Sequence, residues 1–573
     1  MRKRFVLGVI AAMFAACDNG MNPDDVSIVI TPDSVAVEVG QVVSLSVLTA
    51  HTTQRPTFTS SNNAVATVDT MGRVTSKSAG MAYVVGTIGS ARDSSKIVVT
   101  APPPTLDLRP DSLVLSVGQT RVVTPTITNT QQSSVAYTSS NANIASVDGN
   151  GAVTAKAVGN TFVVATMGAL RDSSKIIVTA ALPTPATIPL LGSGNVPERI
   201  SAEVTAAGGW AYTTTWGNRT FNGVSNPGNT VKIWNVSGNT PILSDSLVIT
   251  GAGTTSDVQI SDDGTLLAVS TEGGTPSVRG FSLYSMATPA KPTLITRFNS
   301  PATSPGVHTL KFGRVNGRHY LLLNIDPPAA LVVVDITTPS APVQVGSFPM
   351  GNPFIHDVFF RDGLLFAGLW NDGMSIFDMG GGNKGGSPSN PVLIGNVRTA
   401  SCGTLGCGGS RVHNIWWFHD PKTGSKKYAF IGEEADASLF TNARGDIHVV
   451  DVSDMSNPKE VAFFRPDSAS SSTGNQPSGT HNFDVDEQSG VLYAAYYNGG
   501  VRALDIRGDL STCTAAQKSA DGRCNLRLMG REIGVGLTSF PTFIWGVKLD
   551  GNFLYASDMP NGIHKLNISG LKR

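Results

Sequence analysis

Four histidines occupy the same position in successive copies of a repeat that fills the C-terminal two thirds of the chain. They are His308, His356, His413 and His481, and the residues that follow them are Thr309, Asp357, Asn414 and Asn482. Neutral imidazole and carboxylate groups both bind Zn, Mn or Fe, so several imidazoles beside a carboxylate would form a divalent-metal site. The stretch Glu433-Glu434-Ala435-Asp436 offers carboxylates, and Glu433 is the one that we expect beside the histidines.

The repeat that carries the histidines consists of four short strands over roughly 45 residues, a period typical of a β-propeller blade. Inner strands line the central channel of a propeller, so equivalent residues of neighbouring blades converge there. The ends of the second strands, which include Glu433, are expected to open on the same face. The sequence therefore predicts that the four histidines and Glu433 lie together at one mouth of the channel.

A repeated histidine can also have a purely structural role. It could hydrogen-bond the aspartate that ends the third strand of its own blade, because a buried polar residue needs such a partner. These aspartates are Asp335, Asp378, Asp451 and Asp505, in the same four repeats as the histidines. The sequence leaves a metal or ligand site and a structural tether as alternatives.

The repeats predict seven blades over residues 181–573. Their inner strands begin near Ala202, Ser256, His308, His356, His413, His481 and Trp545. The last copy lacks a fourth strand, whereas Ile188-Pro189-Leu190-Leu191-Gly192 resembles the missing one. A strand over 187–193 that completes the last blade would close the ring and leave no open sheet edge.

Residues 26–180 contain a tandem repeat, with copies at 26–101 and 102–180. The segment from Thr59 through Val68-Asp69 to Gly72 recurs from Thr138 onwards, and alternating apolar residues give the period of a strand. Short strands between Gly, Asp and Asn turns predict two β-sandwiches, so the whole chain is expected to be all-β. The Arg-Asp-Ser-Ser-Lys segments at 92–96 and 171–175 are expected to be hydrophilic turns.

Both regions resemble known families. The tandem copies, with their Ser-Ser-Asn, Val-Asp and Gly-x-Val-Thr elements, resemble the bacterial immunoglobulin-like group 2 family. That resemblance implies stalks of bacterial surface proteins, and sometimes adhesive modules. The third strand from Leu331 to Asp335 resembles the LVIVD repeat family, which implies an extracytoplasmic bacterial propeller.

The N-terminal residues predict export. A basic Arg2-Lys3-Arg4 precedes an apolar stretch that is too short to span a membrane, which is typical of a signal peptide over 1–17. Ala15-Ala16-Cys17 resembles the lipobox of bacterial lipoproteins, which implies lipidation of Cys17 and a short tether over 18–25. An ordinary signal peptide with an unrelated cysteine is the alternative.

The other four cysteines form two close pairs in the sequence. An even number of thiols in an exported chain predicts the disulfides Cys402-Cys407 and Cys513-Cys524. A metal site of four thiolates is the alternative, but the pairs lie in different repeats and lack Cys-x-x-Cys spacing.

The charge of the chain argues against nucleic-acid binding. The 42 basic and 42 acidic residues cancel, so no basic stripe would meet a nucleic acid. We expect a monomeric envelope lipoprotein, at the outer membrane or cell surface, whose Ig-like stalk presents a propeller. The propeller would bind a protein or carbohydrate ligand without catalysis. The alternative is an exported metal-dependent hydrolase or oxidase with a histidine-lined channel site.

Overall fold

The computed structural model describes residues 25–130, 134–351, 353–400, 410–438, 442–467, 478–539 and 541–572. The chain divides into two compact units, one ending at Val178 and one beginning at Thr179. Described residues outside the strands include three short 3-10 turns, Pro276–Val278, Ala515–Gln517 and Ser569–Leu571, and no α-helix. No described helix is long and apolar enough to cross a membrane. The predicted all-β class is confirmed.

The first unit holds two β-sandwiches of the same topology. The first sandwich has a four-stranded sheet in the order Ser34–Glu38, Ala91–Thr100, Gly80–Ile88 and Thr57–Ser60. It also has a three-stranded sheet in the order Val42–Ser44, Arg73–Ser76 and Ala66–Val68. The strands Ser27–Thr31 and Ser46–Ala50 form a separate pair. In the second sandwich the corresponding four-stranded sheet has the order Ser112–Ser116, Leu170–Thr179, Gly159–Met167 and Ala136–Ser139. The three-stranded sheet has the order Thr120–Val122, Ala152–Ala155 and Ala145–Val147. The separate pair is Thr105–Arg109 with Thr124–Thr128.

Alternate residues of these strands form each sandwich core. Val84 and Ile97 are fully buried in the first copy, as are Val163 and Ile176 in the second. Burying one face of each strand is what the period-2 pattern predicted.

The Arg-Asp-Ser-Ser-Lys segments are not turns, and that prediction was wrong. They lie inside the last strand of each sandwich, where Asp93 accepts a hydrogen bond from the backbone N–H of Ile30 at 2.6 Å. The Ser95 hydroxyl donates to the carbonyl of Pro32, also at 2.6 Å. The second copy repeats both bonds, with Asp172 accepting from Leu108 and Ser174 donating to Pro110. The polar residues are there to tie the first strand to the last.

In the described residues, the second unit contains seven consecutive sheets with four main strands each, which are called blades 1 to 7. Blades 1 to 3 are Ser201–Ala207, Trp210–Thr215, Thr230–Asn235, Ile242–Val248; Val258–Ile260, Leu266–Thr271, Gly280–Ser285, Thr293–Phe298; and Thr309–Val315, Arg318–Ile325, Ala330–Asp335, Val343–Pro349. Blades 4 and 5 are Val358–Arg361, Leu364–Gly368, Met374–Asp378, Val392–Val397; and Val412–Trp417, Tyr428–Glu433, Ile447–Asp451, Lys459–Phe464. Blades 6 and 7 are Phe483–Asp486, Val491–Ala495, Val501–Asp505, Glu532–Gly536; and Ile544–Asp550, Phe553–Asp558, Gly562–Asn567, Leu190–Gly194.

Short additional strands decorate the blades. They are Cys524–Asn525 at the edge of blade 5, Ala186–Thr187 at the edge of blade 6, and the pairs Asn218–Phe221 with Val224–Pro227, Ala252–Thr254 with Gly273–Gly274, and Ala435–Ser438 with Asn442–Arg444.

The blades form a closed ring. The first strand of each blade contacts the first strand of the next, and the first strand of blade 7 contacts that of blade 1. The strand Leu190–Gly194 supplies the fourth strand of blade 7, pairing antiparallel with Gly562–Asn567. Ile188, just before it, is buried between blades 6 and 7. The observed closing strand begins three residues later than the predicted one, because Ala186–Thr187 pairs with blade 6 instead.

Candidate functional site

The four histidines line one mouth of the propeller channel, where their rings contact one another. Each lies at or just before the first strand of its blade, and none is more than 8% exposed. Ring centroids are 4.5 Å apart between His308 and His356 and 4.0 Å apart between His356 and His413. His413 and His481 are also separated by 4.0 Å. The convergence of the four side chains follows from their shared position in the repeat.

Two tryptophans complete a circle of six aromatic rings. Trp545 occupies the histidine position of blade 7, and its ring centroid is 4.0 Å from that of His481. Trp216, which follows the second strand of blade 1, is 5.3 Å from Trp545 and 5.9 Å from His308. These large rings wall the histidines off from solvent on the side where no histidine is present.

Several imidazole nitrogens lack a hydrogen-bond partner. The Nδ1 atom of His356 and both ring nitrogens of His413 are buried with no hydrogen bond among the described residues. By contrast, Nδ1 of His481 donates to the carbonyl of Trp545 at 2.6 Å, and the Nε2 atoms of His308 and His356 are 3.1 Å apart. Buried polar atoms are almost always hydrogen-bonded, so these nitrogens without a protein partner are available to a metal ion or to a water molecule.

Glu434 supplies a carboxylate to this cluster. Its Oε2 atom lies 3.6 Å from Nε2 of His413 and 4.0 Å from Nε2 of His356. The Tyr497 hydroxyl donates to the other oxygen, Oε1, at 2.5 Å, which orients the carboxylate towards the histidines. One donor atom from each of His356, His413 and Glu434 lies within 4.8 Å of the other two. Two imidazoles and one carboxylate at this spacing fit a divalent transition-metal ion.

Burial keeps the central imidazoles neutral. It lowers the pKa of His356, His413 and His481 well below the usual value, and the neighbouring imidazoles lower it further. Neutral imidazole is the form that coordinates metals. Burial also raises the pKa of Glu434, although the hydrogen bond from Tyr497 opposes this shift. A bound cation would stabilise the ionised carboxylate.

His308 differs from the other three histidines in charge. Burial alone would lower its pKa, but the carboxylate of Glu272, 3.1 Å from Nδ1, raises it to about 9. The Ser256 hydroxyl donates to the same Glu272 carboxylate at 2.7 Å. His308 is therefore the protonated, ion-paired member of the cluster at neutral pH.

Two aromatic residues beside the histidines have unusual backbone conformations. Trp370 and Tyr497 follow the second strands of blades 4 and 6 with φ of 47° and 43°. The left-handed region costs a bulky residue about 1–3 kcal/mol and is concentrated at functional sites. The Trp370 ring stacks on His356 at 5.2 Å, and the Tyr497 ring lies 5.1 Å from His481. The strained turns thus place aromatic side chains against the cluster.

The structure does not bring Glu433 to the histidine cluster, which corrects the sequence prediction. Glu433 is fully buried, and its Oε2 atom lies 3.3 Å from Nε2 of His448. Nδ1 of His448 in turn lies 2.7 Å from Glu460. Successive side chains of a strand point to opposite faces, so the neighbouring Glu434 faces the channel mouth instead.

The structural-tether alternative also fails for the four channel histidines. In an antiparallel blade, the third strand ends at the same edge of the sheet as the first strand. The histidine comes before the first strand and therefore lies at the other edge. Asp335 accordingly pairs with Arg318, and Asp505 pairs with Arg507. Asp451 pairs with Lys427, and Asp378 accepts hydrogen bonds from the backbone N–H groups of the glycine-rich loop that follows it. In the part of the chain that the structure describes, the partners found for these aspartates are not the histidines of the cluster.

Three buried carboxyl groups lie just below the histidines, and the sequence analysis gave none of them a place in the site. They are Glu203, Asp257 and Asp357, each at the position that follows the histidine position. They line a cavity of about 30 Å³ with the four histidines, which is room for an ion or a water molecule. Burial raises the pKa of Glu203 to about 8 and that of Asp357 to about 7. An alignment of all seven repeats at the position that follows the histidine position would have shown these three acidic residues together.

Cys513 and Cys524 form a disulfide that closes the loop leading to the edge strand of blade 5. This pairing agrees with the sequence prediction. Cys17, Cys402 and Cys407 lie outside the described residues.

Comparison with known proteins identifies the parts of the chain. The family described as Bacterial Ig-like domain (group 2) matches residues 26–99 and 104–178. The LVIVD repeat family matches residues 326–349 and 441–464. These matches confirm both resemblances seen in the sequence. No curated protein matches the chain significantly.

Similar solved structures include a β-propeller domain, a designed protein and domains of an S-layer protein. The β-propeller domain of Cps50 (Swd1) from Myceliophteria thermophila is 13% identical, with a TM-score of 0.41, over 67% of this chain and 99% of that one. The computationally designed Ika8 protein is 10% identical, with a TM-score of 0.40, over 66% and 99%. Domains 4 and 5 of the S-layer protein SbsC are 23% identical, with a TM-score of 0.15, over 24% and 83%. From the family matches and the fold, the chain contains two bacterial Ig-like domains of group 2 followed by a β-propeller with LVIVD repeats, a combination that indicates a surface-type protein.

Proposed function

We propose that this chain is a bacterial envelope protein whose propeller binds a divalent transition-metal ion at the histidine-bearing mouth of its channel. His356, His413 and Glu434 are the protein ligands. The observation that carries the proposal is the unpaired state of buried His413, whose Nε2 lies 3.6 Å from Glu434. A metal ion would satisfy Nε2 of His413 and the Glu434 carboxylate, while Nδ1 of His413 would carry the imidazole hydrogen. The Tyr497 hydroxyl, which donates to Oε1 of Glu434, would hold the carboxylate in place.

The remaining residues of the cluster would shape the site around the ion. His481 donates its Nδ1 hydrogen to Trp545, which leaves Nε2 as the lone-pair nitrogen. The circle of aromatic rings would limit solvent access to the ion. In this proposal the protein does not catalyse a reaction. The bound ion would either join the blades or bind an external ligand.

One observation favours a second candidate, an exported metal-dependent hydrolase or oxidase. His308 is protonated beside Glu272 and lies within reach of His356, so it could act as a general acid next to the ion. Catalysis would require turnover that depends on both the ion and His308.

The test is a titration of the full chain with Co²⁺, followed through the visible absorption bands of the bound ion. The wild-type protein should bind one ion, and the His356→Ala/His413→Ala variant should bind at least 100-fold more weakly. His319→Ala is the matched control, since His319 lies at the far end of blade 3. Equal Co²⁺ binding by the double variant and the wild type would refute the proposal.

We also propose that the protein is anchored through a lipid on Cys17. The proposal rests on the Ala15-Ala16-Cys17 sequence after a short apolar segment. Metabolic labelling with an alkyne fatty acid should mark the wild-type chain and not the Cys17→Ser variant. Cell fractionation would then show whether the labelled protein is in the outer membrane and at the cell surface or in the inner membrane. If the wild-type chain were not labelled, the proposal would be wrong and the N-terminal segment would be an ordinary signal peptide.

A further inference from the structure

The other end of the propeller channel holds a second, larger cavity of about 300 Å³. Its inner wall consists of the residues three positions after the histidine position in five blades. They are Gln259, Lys311, Phe359, Trp416 and Lys548. A strand rises about 3.3 Å per residue, so this layer lies roughly 10 Å from the histidines. An adjoining cavity of about 470 Å³ shares Arg361 and Trp416 with it.

The lining of this cavity is positively charged. It includes the cations Lys311, Arg314, Arg361 and Lys548 and the carboxylates Asp262 and Asp362. Arg361 is paired with Glu487 at 2.6 Å, Lys548 with Asp484 at 3.0 Å, and Asp362 with Lys426 at 2.7 Å.

Lys311 and Arg314 make no such close ion pair, although the charge of Lys311 acts on the buried Asp257 and Asp357 and opposes the rise that burial causes in the pKa of both carboxyl groups. Neither makes a side-chain hydrogen bond or an ion pair in the part of the chain that the structure describes. Lys311 is half-buried, and its ammonium group lies 5.9 Å from the Phe359 ring. A half-buried ammonium group without a direct ion pair is suited to an anionic ligand group.

Aromatic side chains adjoin these cations. Trp416 is half-buried between the two cavities, and its indole N–H donates to Glu487 at 3.0 Å, which fixes the ring. Arg361 lies 5.2 Å from the Phe359 ring and 6.0 Å from that of Trp416. A fixed aromatic surface beside cations and the amide of Gln259 suits a ligand with one apolar face, several hydroxyls and a negative charge.

We propose that this mouth binds an acidic saccharide, with the carboxylate of a uronic acid residue on Lys311 and Arg314 and the apolar face of the sugar ring against Trp416. Binding here does not involve the histidine cluster. It gives the surface protein a glycan ligand that is independent of any metal ion at the opposite mouth.

The test is isothermal titration of the full chain with a uronic acid trisaccharide, a neutral glucose trisaccharide and a glutamate tripeptide. The uronate should bind at least 10-fold more tightly than either of the others, and its affinity should fall as salt is added. Lys311→Gln should weaken uronate binding at least 10-fold. Lys291→Gln, at an exposed lysine outside the cavity, should not change it.

His356→Ala should bind the uronate normally, so a failure of the metal proposal would not affect this result. Uronate and neutral saccharide binding with equal affinity would overturn the inference, as would unchanged binding by a folded Lys311→Gln variant. Preferred binding of the acidic peptide would assign the site to a protein ligand and would equally overturn it.

Discussion

The carboxylate of Asp257 in blade 2 accepts a hydrogen bond from the backbone N–H of Leu310 in blade 3 at 2.9 Å. Asp484 in blade 6 makes the same bond to Leu549 in blade 7 at 3.0 Å. Asp257 lies one position and Asp484 three positions after the histidine position, so carboxylates at two levels of the channel join one blade to the next. Among the described residues, the channel histidines make no comparable bond to a backbone N–H group of another blade, so these bonds lie below the candidate metal layer.

Asp257→Ala should destabilise the propeller without changing metal affinity. The substitution leaves the N–H groups of Val258 and Leu310 without their acceptor, which we expect to lower the free energy of unfolding by about 1–3 kcal/mol. Urea unfolding measures the change, and Asp262→Ala at an exposed position is the control. Equal stability of the two variants would show that the bond between blades contributes nothing.

Glu434→Gln and Glu433→Gln should have opposite effects although the residues are adjacent. Glu434→Gln removes a ligand charge, so we expect metal affinity to fall at least 10-fold with little loss of stability. Glu433→Gln disturbs the buried contact with His448 and should lower the melting temperature while metal still binds. Metal titrations and thermal melts of both variants test this. A greater loss of metal affinity in Glu433→Gln would restore the assignment made from the sequence.

His448 should make stability depend on alkaline pH. Burial alone would lower its pKa, but Glu460 and Glu433 raise it to about 10. A raised folded-state pKa means that the stabilisation is complete below the unfolded value of about 6.5 and is lost as pH rises towards 10. The melting temperature of the wild type should therefore fall more steeply from pH 7 to 10 than that of His448→Gln. Parallel pH profiles would contradict the pairing.

Gly194→Ala should weaken closure of the ring. A Cβ atom at Gly194 would lie 2.6 Å from the Trp234 ring and 2.8 Å from the carbonyl of Pro241, so the closing strand must shift away from blade 1. Gly238→Ala meets no atom within 4 Å and serves as the control. We expect a lower melting temperature and faster proteolysis near residue 194 for the first variant only. Identical melting of both variants would mean that the strand tolerates displacement.

The sequence was a good guide wherever a repeat defined position. The inner-strand histidines converge as expected, and the missing fourth strand of the last repeat correctly pointed to the segment that ends at Gly194. Glu433 was chosen wrongly because the repeat locates a strand end but not the face to which its last residue points. Glu203 and Asp257 were missed because Ala202 and Ser256, not histidines, precede them in their repeats, and Asp357 was noted only as the residue after His356.

The metal content of the exported full-length chain, measured by mass spectrometry on protein isolated without added metal, tests the central claim most directly. We predict about one transition-metal ion per chain in the wild type and in His319→Ala. The His356→Ala/His413→Ala variant should be folded and hold less than a tenth of that amount. A wild-type chain without metal that also fails to take up Zn²⁺, Mn²⁺, Fe²⁺ or Co²⁺ would contradict the account.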